Sequence, residues 1–371
     1  MIRKSFYQIK LSEVIKNFTP DWFTLNMGTG IVFVVINNIH KNLFIYQHEI
    51  SKIFWIMDSI FFVLFSILFL SRIILFTSTI KNILIHPVQS MFLGAIPIAL
   101  VSVSEGFLTF KVPFLGFSPF EVSFSLWIID VILAIIVALA VPFFMFTTKD
   151  RHSLESMTAL WLMPIVPPGA AALAVGVLSK HFTGDNASLF LTINYLLWML
   201  TTPLVFSILA IFILRLTSHK LPDKTMAATS WLSLGSLSIA SLGILLLGES
   251  AKIVFSGLMG NFLYKLSYIT GLLIWAYCFW WYAISWLMTL KYFKEGLPFS
   301  MGWWAFTFPI GVFAAVTLQL WHLNHYEIFK IAGFLFTVQL IIFWVIVFMK
   351  TIPGILSGKL FYTHNIFPKK N

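Results

Sequence analysis

This chain is expected to fold as an all-α integral membrane protein. Ten transmembrane helices would pair as five helical hairpins, with the odd helices forming an inner ring around a pore and the even helices an outer ring. Composition excludes a soluble fold: 59% of the 371 residues are hydrophobic and 10% charged, against about 25% charged in an ordinary soluble domain. Ten apolar stretches of roughly 20 residues, each long enough to span a bilayer, use just over half the chain. Helix-breaking residues gather in the odd stretches, and a membrane helix tolerates freed backbone groups only where protein or a wet cavity satisfies them.

The elements follow in order as spans at 24–40, 53–76, 88–108, 124–146, 158–178, 188–214, 230–248, 262–290, 301–321 and 328–348. Before them, residues 1–17 carry Arg3, Lys4, Lys10 and Lys16 without an apolar core or a small-residue cleavage site, so this reads as a basic arm and not a signal peptide. The first span opens with Phe18-Thr-Pro-Asp-Trp-Phe-Thr-Leu-Asn-Met-Gly-Thr-Gly30 and holds Gly28 and Gly30; its partner is bulky, without a breaker from Ile56 to Phe76. The third opens with His86-Pro-Val-Gln-Ser-Met-Phe-Leu-Gly94 and adds Pro97; the fourth carries Asp130. The fifth contains Trp161-Leu-Met-Pro-Ile-Val-Pro-Pro168, with Pro164, Pro167, Pro168, Gly169 and Gly176. The seventh has Gly235, Ser236 and Gly243, and the eighth holds the lone Cys278, which excludes an intrachain disulfide. The ninth contains Gly302-Trp-Trp-Ala-Phe-Thr-Phe-Pro-Ile-Gly311, with Thr307, Phe308 and Pro309. The chain then divides into the arm (1–17), the transport domain (18–350) and a short tail (351–371).

The odd spans open near Pro20, His86, Leu154, Lys224 and Pro298, at separations of 66, 68, 70 and 74. A near-constant period marks a repeated supersecondary unit. Lys and Arg number 17 on the side of the two termini and 7 on the other, so both termini are expected in the cytoplasm. The same distribution accounts for the net charge of +10 without a nucleic-acid partner. Small residues at helical spacing on the odd spans fit either close helix packing or a pore wall, and packing is the better reading of that pattern alone.

Charged residues in or near spans are Asp58, Arg72, Glu105, Asp130 and Glu249. Asp58, Arg72, Glu105 and Glu249 fall near predicted span ends and are expected to reach headgroups or water. Asp130 lies deeper on an even helix, where it reads as a packing partner for a neighbour's polar group, with a coupling-proton site as the alternative. His86 reads as a helix-start residue, and His322 and His325 as solvated. No metal site, cofactor or ATP-binding loop is encoded, and no cluster of reactive groups suggests a membrane enzyme.

The four quoted strings, at corresponding positions of odd helices, resemble the tellurite-resistance/dicarboxylate transporter family. It comprises fungal malic acid permeases, fungal sulfite efflux pumps, bacterial tellurite-resistance proteins and plant slow anion channels. The resemblance runs from about Phe18 to about Lys350. It implies ten helices in five hairpins, a homotrimer with one pore per protomer, and a small anionic solute crossing the lipid bilayer of the plasma or inner membrane. C4-dicarboxylate is the first expectation, then sulfite, with a passive gated anion channel as the alternative and tellurite resistance as a secondary phenotype. The resemblance also places a pore-plugging phenylalanine on the ninth helix. The matching residue is Phe308, with Phe306 as the competing choice. Gly28, Gly30, Gly94, Pro97, Pro164, Pro167, Pro168, Ser236, Gly243, Thr307, Pro309 and Gly311 are the expected pore-lining or kink positions around it.

Overall fold

The computed structural model describes residues 10–39, 45–148, 153–255 and 257–361, and among them the protein is helical, with no strands. A short α1 (Leu11–Asn17) precedes α2 (Phe23–Asn38), α3 (Gln47–Leu75) and the brief α4 (Ile80–Leu84). Then come α5 (Ala95–Thr109), α6 (Pro119–Thr147), the short α7 (Pro167–Ala171) and α8 (Val175–Leu178), and α9 (Gly184–His219). The chain finishes with α10 (Trp231–Val254), α11 (Gly257–Lys294), α12 (Phe308–Asn324) and α13 (Glu327–Leu356).

Eight helical segments among the described residues are long and apolar enough to cross a membrane. The two other stretches expected to span are shorter or interrupted. The first has 16 residues in α2. The fifth is split into α7, α8 and three 3-10 turns, at 159–162, 172–174 and 179–181. Proline supplies the cause: Pro164, Pro167 and Pro168 lack the amide hydrogens a continuous helix needs. Conversely, the even helices are longer than the hydropathy suggested. α9 has 36 residues and α11 has 38. The C-terminal segment is not a free tail up to residue 361: α13 continues to Leu356, and the Phe361 ring stacks on Trp22 at 5.0 Å between centroids. Residues 1–9 of the basic arm and 362–371 of the tail lie outside the described residues.

Burial separates two classes of helix. The apolar windows of Lys224–Val254, Met301–Asn324 and Met91–Thr109 are 94%, 83% and 61% buried, whereas those of α3, α6, α9, α11 and α13 are 17–39% buried. The exposed faces of the second class are Ile, Leu, Val and Phe, a surface that suits lipid rather than water. The more buried helices touch one another in succession: α2 meets α5, α5 meets α7, α7 meets α10, α10 meets α12, and α12 returns to α2.

Five tryptophans on the outer helices tie them to this succession. Trp55 of α3 donates its indole N–H to the Val103 carbonyl at 3.1 Å, Trp127 of α6 to Ala171 at 3.1 Å, and Trp198 of α9 to Ala240 at 2.8 Å. Trp275 of α11 donates to the Thr317 hydroxyl at 2.8 Å, and Trp344 of α13 to that of Thr29 at 3.2 Å. Each outer helix is thereby bonded to the inner segment that follows it, and α13 closes back onto α2. In an apolar medium these indoles have no water to turn to, so each partner matters.

Candidate functional site

The inner segments enclose a cavity of about 300 Å³. Its wall takes one face from each of five segments: Met27, Ile31, Val34 and Asn38 of α2; Ile98, Val101, Ser102 and Glu105 of α5; Ala170, Leu173, Gly176, Val177 and Lys180 of the interrupted segment; Leu242, Leu246 and Glu249 of α10; and Phe308, Val312, Ala315, Gln319 and His322 of α12. The spacings of three and four within each helix are those of a single helical face. The wall is aliphatic at depth and polar at one end. Asn38, Lys180 and His322, all exposed, sit at the C-terminal ends of their segments and form the mouth. Glu249 accepts from the Gln319 side-chain amide, and His322 Nε2 lies 2.9 Å from the Asn38 carbonyl.

Phe308 stands at the opposite end. It lines the cavity and also a separate void of about 10 Å³ bounded by Thr24, Phe92, Leu160, Met163, Thr229 and Trp304. Phe308 and Met27 both border the two spaces, and the Phe308 ring lies between them. The local backbone puts it there: the helix starts at Phe308 after a 3-10 turn (Met301–Phe306), with Pro309 in its first turn, where the missing amide costs nothing. Phe306, the competing choice, is 5% exposed and packs edge-on against Trp231, Trp303 and Phe343. It belongs to the packing between helices and reaches neither space.

Of the expected pore-lining or kink positions around Phe308, none borders the larger cavity. The glycines mark close helix contacts instead. A side chain at Gly28 would collide with Thr307 and Trp304, at Gly94 with the Met163 carbonyl, at Gly243 with Trp198 and at Gly311 with Ile31. Ser236 bonds back to the Leu232 carbonyl, and Thr307 to that of Trp304. Pro97, Pro164, Pro167, Pro168 and Pro309 are buried in the backbone of the inner segments.

The charged residues depart from expectation. Asp58 does not approach headgroups: α3 begins at Gln47, so Asp58 is mid-helix, fully buried, and accepts from Asn26 Nδ2 at 3.1 Å and Ser102 Oγ at 2.7 Å. Gly30 leaves the room for this bond, because a Cβ there would come within 2.7 Å of Asp58 Oδ2. Arg72 is buried too, donating to the Phe18 carbonyl at 2.6 Å and to Thr79 Oγ1 at 3.1 Å. Glu105 and Glu249 face the cavity. Asp130, expected to pair with a neighbour's polar group, has neither oxygen partnered among the described residues. His86 does act locally at a segment start, accepting at Nδ1 from the amides of Val88 and Gln89. His325 caps α12 in the left-handed region and is exposed.

Sequence reasoning missed the tryptophan bonds and the cavity polar groups Asn38, Lys180 and Gln319. The tryptophans carried a readable signal, since Trp55, Trp127, Trp198, Trp275 and Trp344 recur at separations of 72, 71, 77 and 69. The cavity groups carried none, because a lone polar residue near a span end looks solvated.

Comparison with known sequences bears on what such a cavity serves. The family described as "Voltage-dependent anion channel" matches residues 17–352, nearly the whole chain. The protein belongs to this anion-transport family. Among its relatives is the sulfite efflux pump SSU1 of Arthroderma benhamiae, 33% identical over 354 residues, 94% of this chain and 93% of the relative. An uncharacterized transporter of Methanocaldococcus jannaschii is 29% identical over 95% of this chain and 98% of its own length. The malic acid transport protein of Schizosaccharomyces pombe is 23% identical over 95% of this chain and 82% of its own. The protein is thus an integral membrane protein of a family that moves small anions, and its relatives are transporters and channels.

Proposed function

We propose that this protein carries sulfite out of the cell through the cavity, with the Phe308 ring as its gate. The observation that carries the gate is the position of Phe308 between the cavity and the void beyond it. Sulfite ranks above C4-dicarboxylate for two reasons. The sulfite efflux pump relative is 33% identical and the malic acid relative 23%. Among the described residues the basic side chains on the cavity wall are Lys180 and His322, whereas bidentate capture of two carboxylates favours arginine. An anion in this cavity meets isolated dipoles and a single ammonium group, and weak, distributed attraction is what lets an ion enter and leave.

The arrangement completes as follows. Ten segments cross the membrane as five hairpins, with α2 and the interrupted fifth segment included, and the inner five surround the pore. Both termini face the cytoplasm, so the cavity mouth faces outward and Phe308 closes the cytoplasmic side. Three protomers associate, each with its own pore.

Flux through purified protein in liposomes tests the assignment, with sulfite, malate, succinate, nitrate and chloride compared side by side. Saturable sulfite flux exceeding that of malate is expected. Malate flux exceeding sulfite flux would move the assignment to dicarboxylate, large unselective currents would make the protein a channel, and no flux of any anion would refute transport.

A further inference from the structure

Two outer helices carry the same string at the same repeat position: Trp55-Ile-Met-Asp58 on α3 and Trp127-Ile-Ile-Asp130 on α6. In both, the tryptophan bonds to the next inner segment and the aspartate three residues on is buried, 0% exposed for Asp58 and 1% for Asp130. Their surroundings differ. Asp58 accepts hydrogen bonds from Asn26 and Ser102. Asp130 accepts none among the described residues. Its neighbours with hydroxyls or N–H groups are already committed: Ser104 and Ser123 bond to each other's carbonyls at 2.9 and 2.8 Å, and the Trp127 indole to Ala171.

Asp130 instead borders a void of about 10 Å³, close to what one water requires. The void is also lined by Ser104, Ser123, Trp127 and Glu105. Glu105 lines the large cavity as well. The α5 glutamate therefore stands between a sealed carboxyl and the anion cavity. The titratable groups around the void are Asp130 from α6 and Glu105 from α5; Ala174 and Val177 of the third wall carry none. The other ionisable groups of the adjoining cavity are Lys180, Glu249 and His322 near its mouth.

We propose that Asp130 and Glu105 form a proton-binding pair in the cavity wall, resting on the reading of the cavity as the anion path. An ionised carboxylate without donors or a cation is strongly disfavoured in an apolar interior, so Asp130 holds its proton. The void has room for one water to link the two carboxyls. The loaded pair holds two protons: Asp130 keeps its own, and on the cavity side an O–H bond of hydronium breaks as an O–H bond forms on Glu105. Glu105 then presents a neutral face to an anion beside it, whereas its carboxylate would repel that anion. Loading of the pair thus couples anion passage to proton availability.

Infrared spectroscopy of the purified protein in lipid tests the pair without any transport assay. A protonated carboxyl C=O band that shifts in D₂O and disappears in Asp130→Asn is expected, with Asp130→Leu as a second variant that retains an apolar fill. Absence of an Asp130-dependent band overturns the proposal. Liposome flux supplies the coupling: wild-type sulfite flux should rise as pH falls, the rise should be lost in Glu105→Gln, and it should shift along the pH axis in Asp130→Asn. An unaltered pH profile in both variants would also overturn it. If the band is present but wild-type protein moves no anion, the proton pair stands and the transport reading fails.

Discussion

Replacing Phe308 with alanine removes the one ring that, among the described residues, borders both the cavity of about 300 Å³ and the void beyond it. For the closed state to leak, that ring must leave its contacts with the void-lining residues and turn into the cavity. Burying a phenylalanine side chain is worth about 1.5–3 kcal/mol, so displacing the ring costs up to that amount. At about 1.4 kcal/mol per factor of ten, the expected rise in sulfite flux through Phe308→Ala is roughly ten- to 150-fold. The assay is sulfite efflux from liposomes, normalised to reconstituted protein. Phe306→Ala is the control. Phe306 sits among Trp231, Trp303 and Phe343 at centroid distances of 5.7–5.9 Å, so its loss should cost about 3–5 kcal/mol of stability without a comparable rise in flux. Flux through Phe308→Ala within twofold of wild type, at equal incorporation, would refute the gate. A larger rise in Phe306→Ala would show that the string has been assigned two residues out of place.

Three further outcomes are expected. Gly30→Ala should lower stability by about 1–3 kcal/mol through overpacking, because its Cβ intrudes on the Asp58–Ser102 bond; thermal unfolding in detergent measures it, and Gly30→Ala matching wild type would remove the close-approach argument. Lys180→Ala should slow sulfite flux at low ionic strength and converge with wild type at high salt, since Lys180 is an exposed cation at the cavity mouth; a defect independent of salt would point to structure, not attraction. Asp223→Ala should cost about 1 kcal/mol by removing a cap. The Thr225 amide and hydroxyl, bonded to Asp223 at 2.9 and 2.7 Å, hold its carboxyl below the ordinary range. A depressed folded value means this stabilisation is present above the unfolded pKa and is lost as pH falls through the folded one. The wild-type advantage over Asp223→Ala in thermal unfolding should accordingly shrink on acidification.

Much of the architecture was legible because hydropathy and helix breakers act locally. The prolines between 164 and 168 were read as breakers within one span, and there the chain divides into short helices and 3-10 turns. Span ends were less legible, since α3, α9 and α11 continue past their apolar stretches where polar residues still satisfy their backbone within the helix. The glycines of the inner segments were read as packing or pore wall, and the close contacts at Gly28, Gly94, Gly243 and Gly311 favour packing. A glycine string records that something approaches the backbone, not what does.

What the sequence determined by itself is the apolar, helical, membrane-embedded class and the string that carries Phe308. These depend on composition and on neighbours within a few residues. Tertiary structure alone decided which polar groups are satisfied. Asp58 and Asp130 occupy equivalent Trp-x-x-Asp positions, yet one receives Asn26 and Ser102 while the other faces a void with Glu105. The donors that separate them come from helices dozens of residues away in the chain. A buried carboxyl's character is set by those partners, because an apolar interior offers no bulk water to substitute for them.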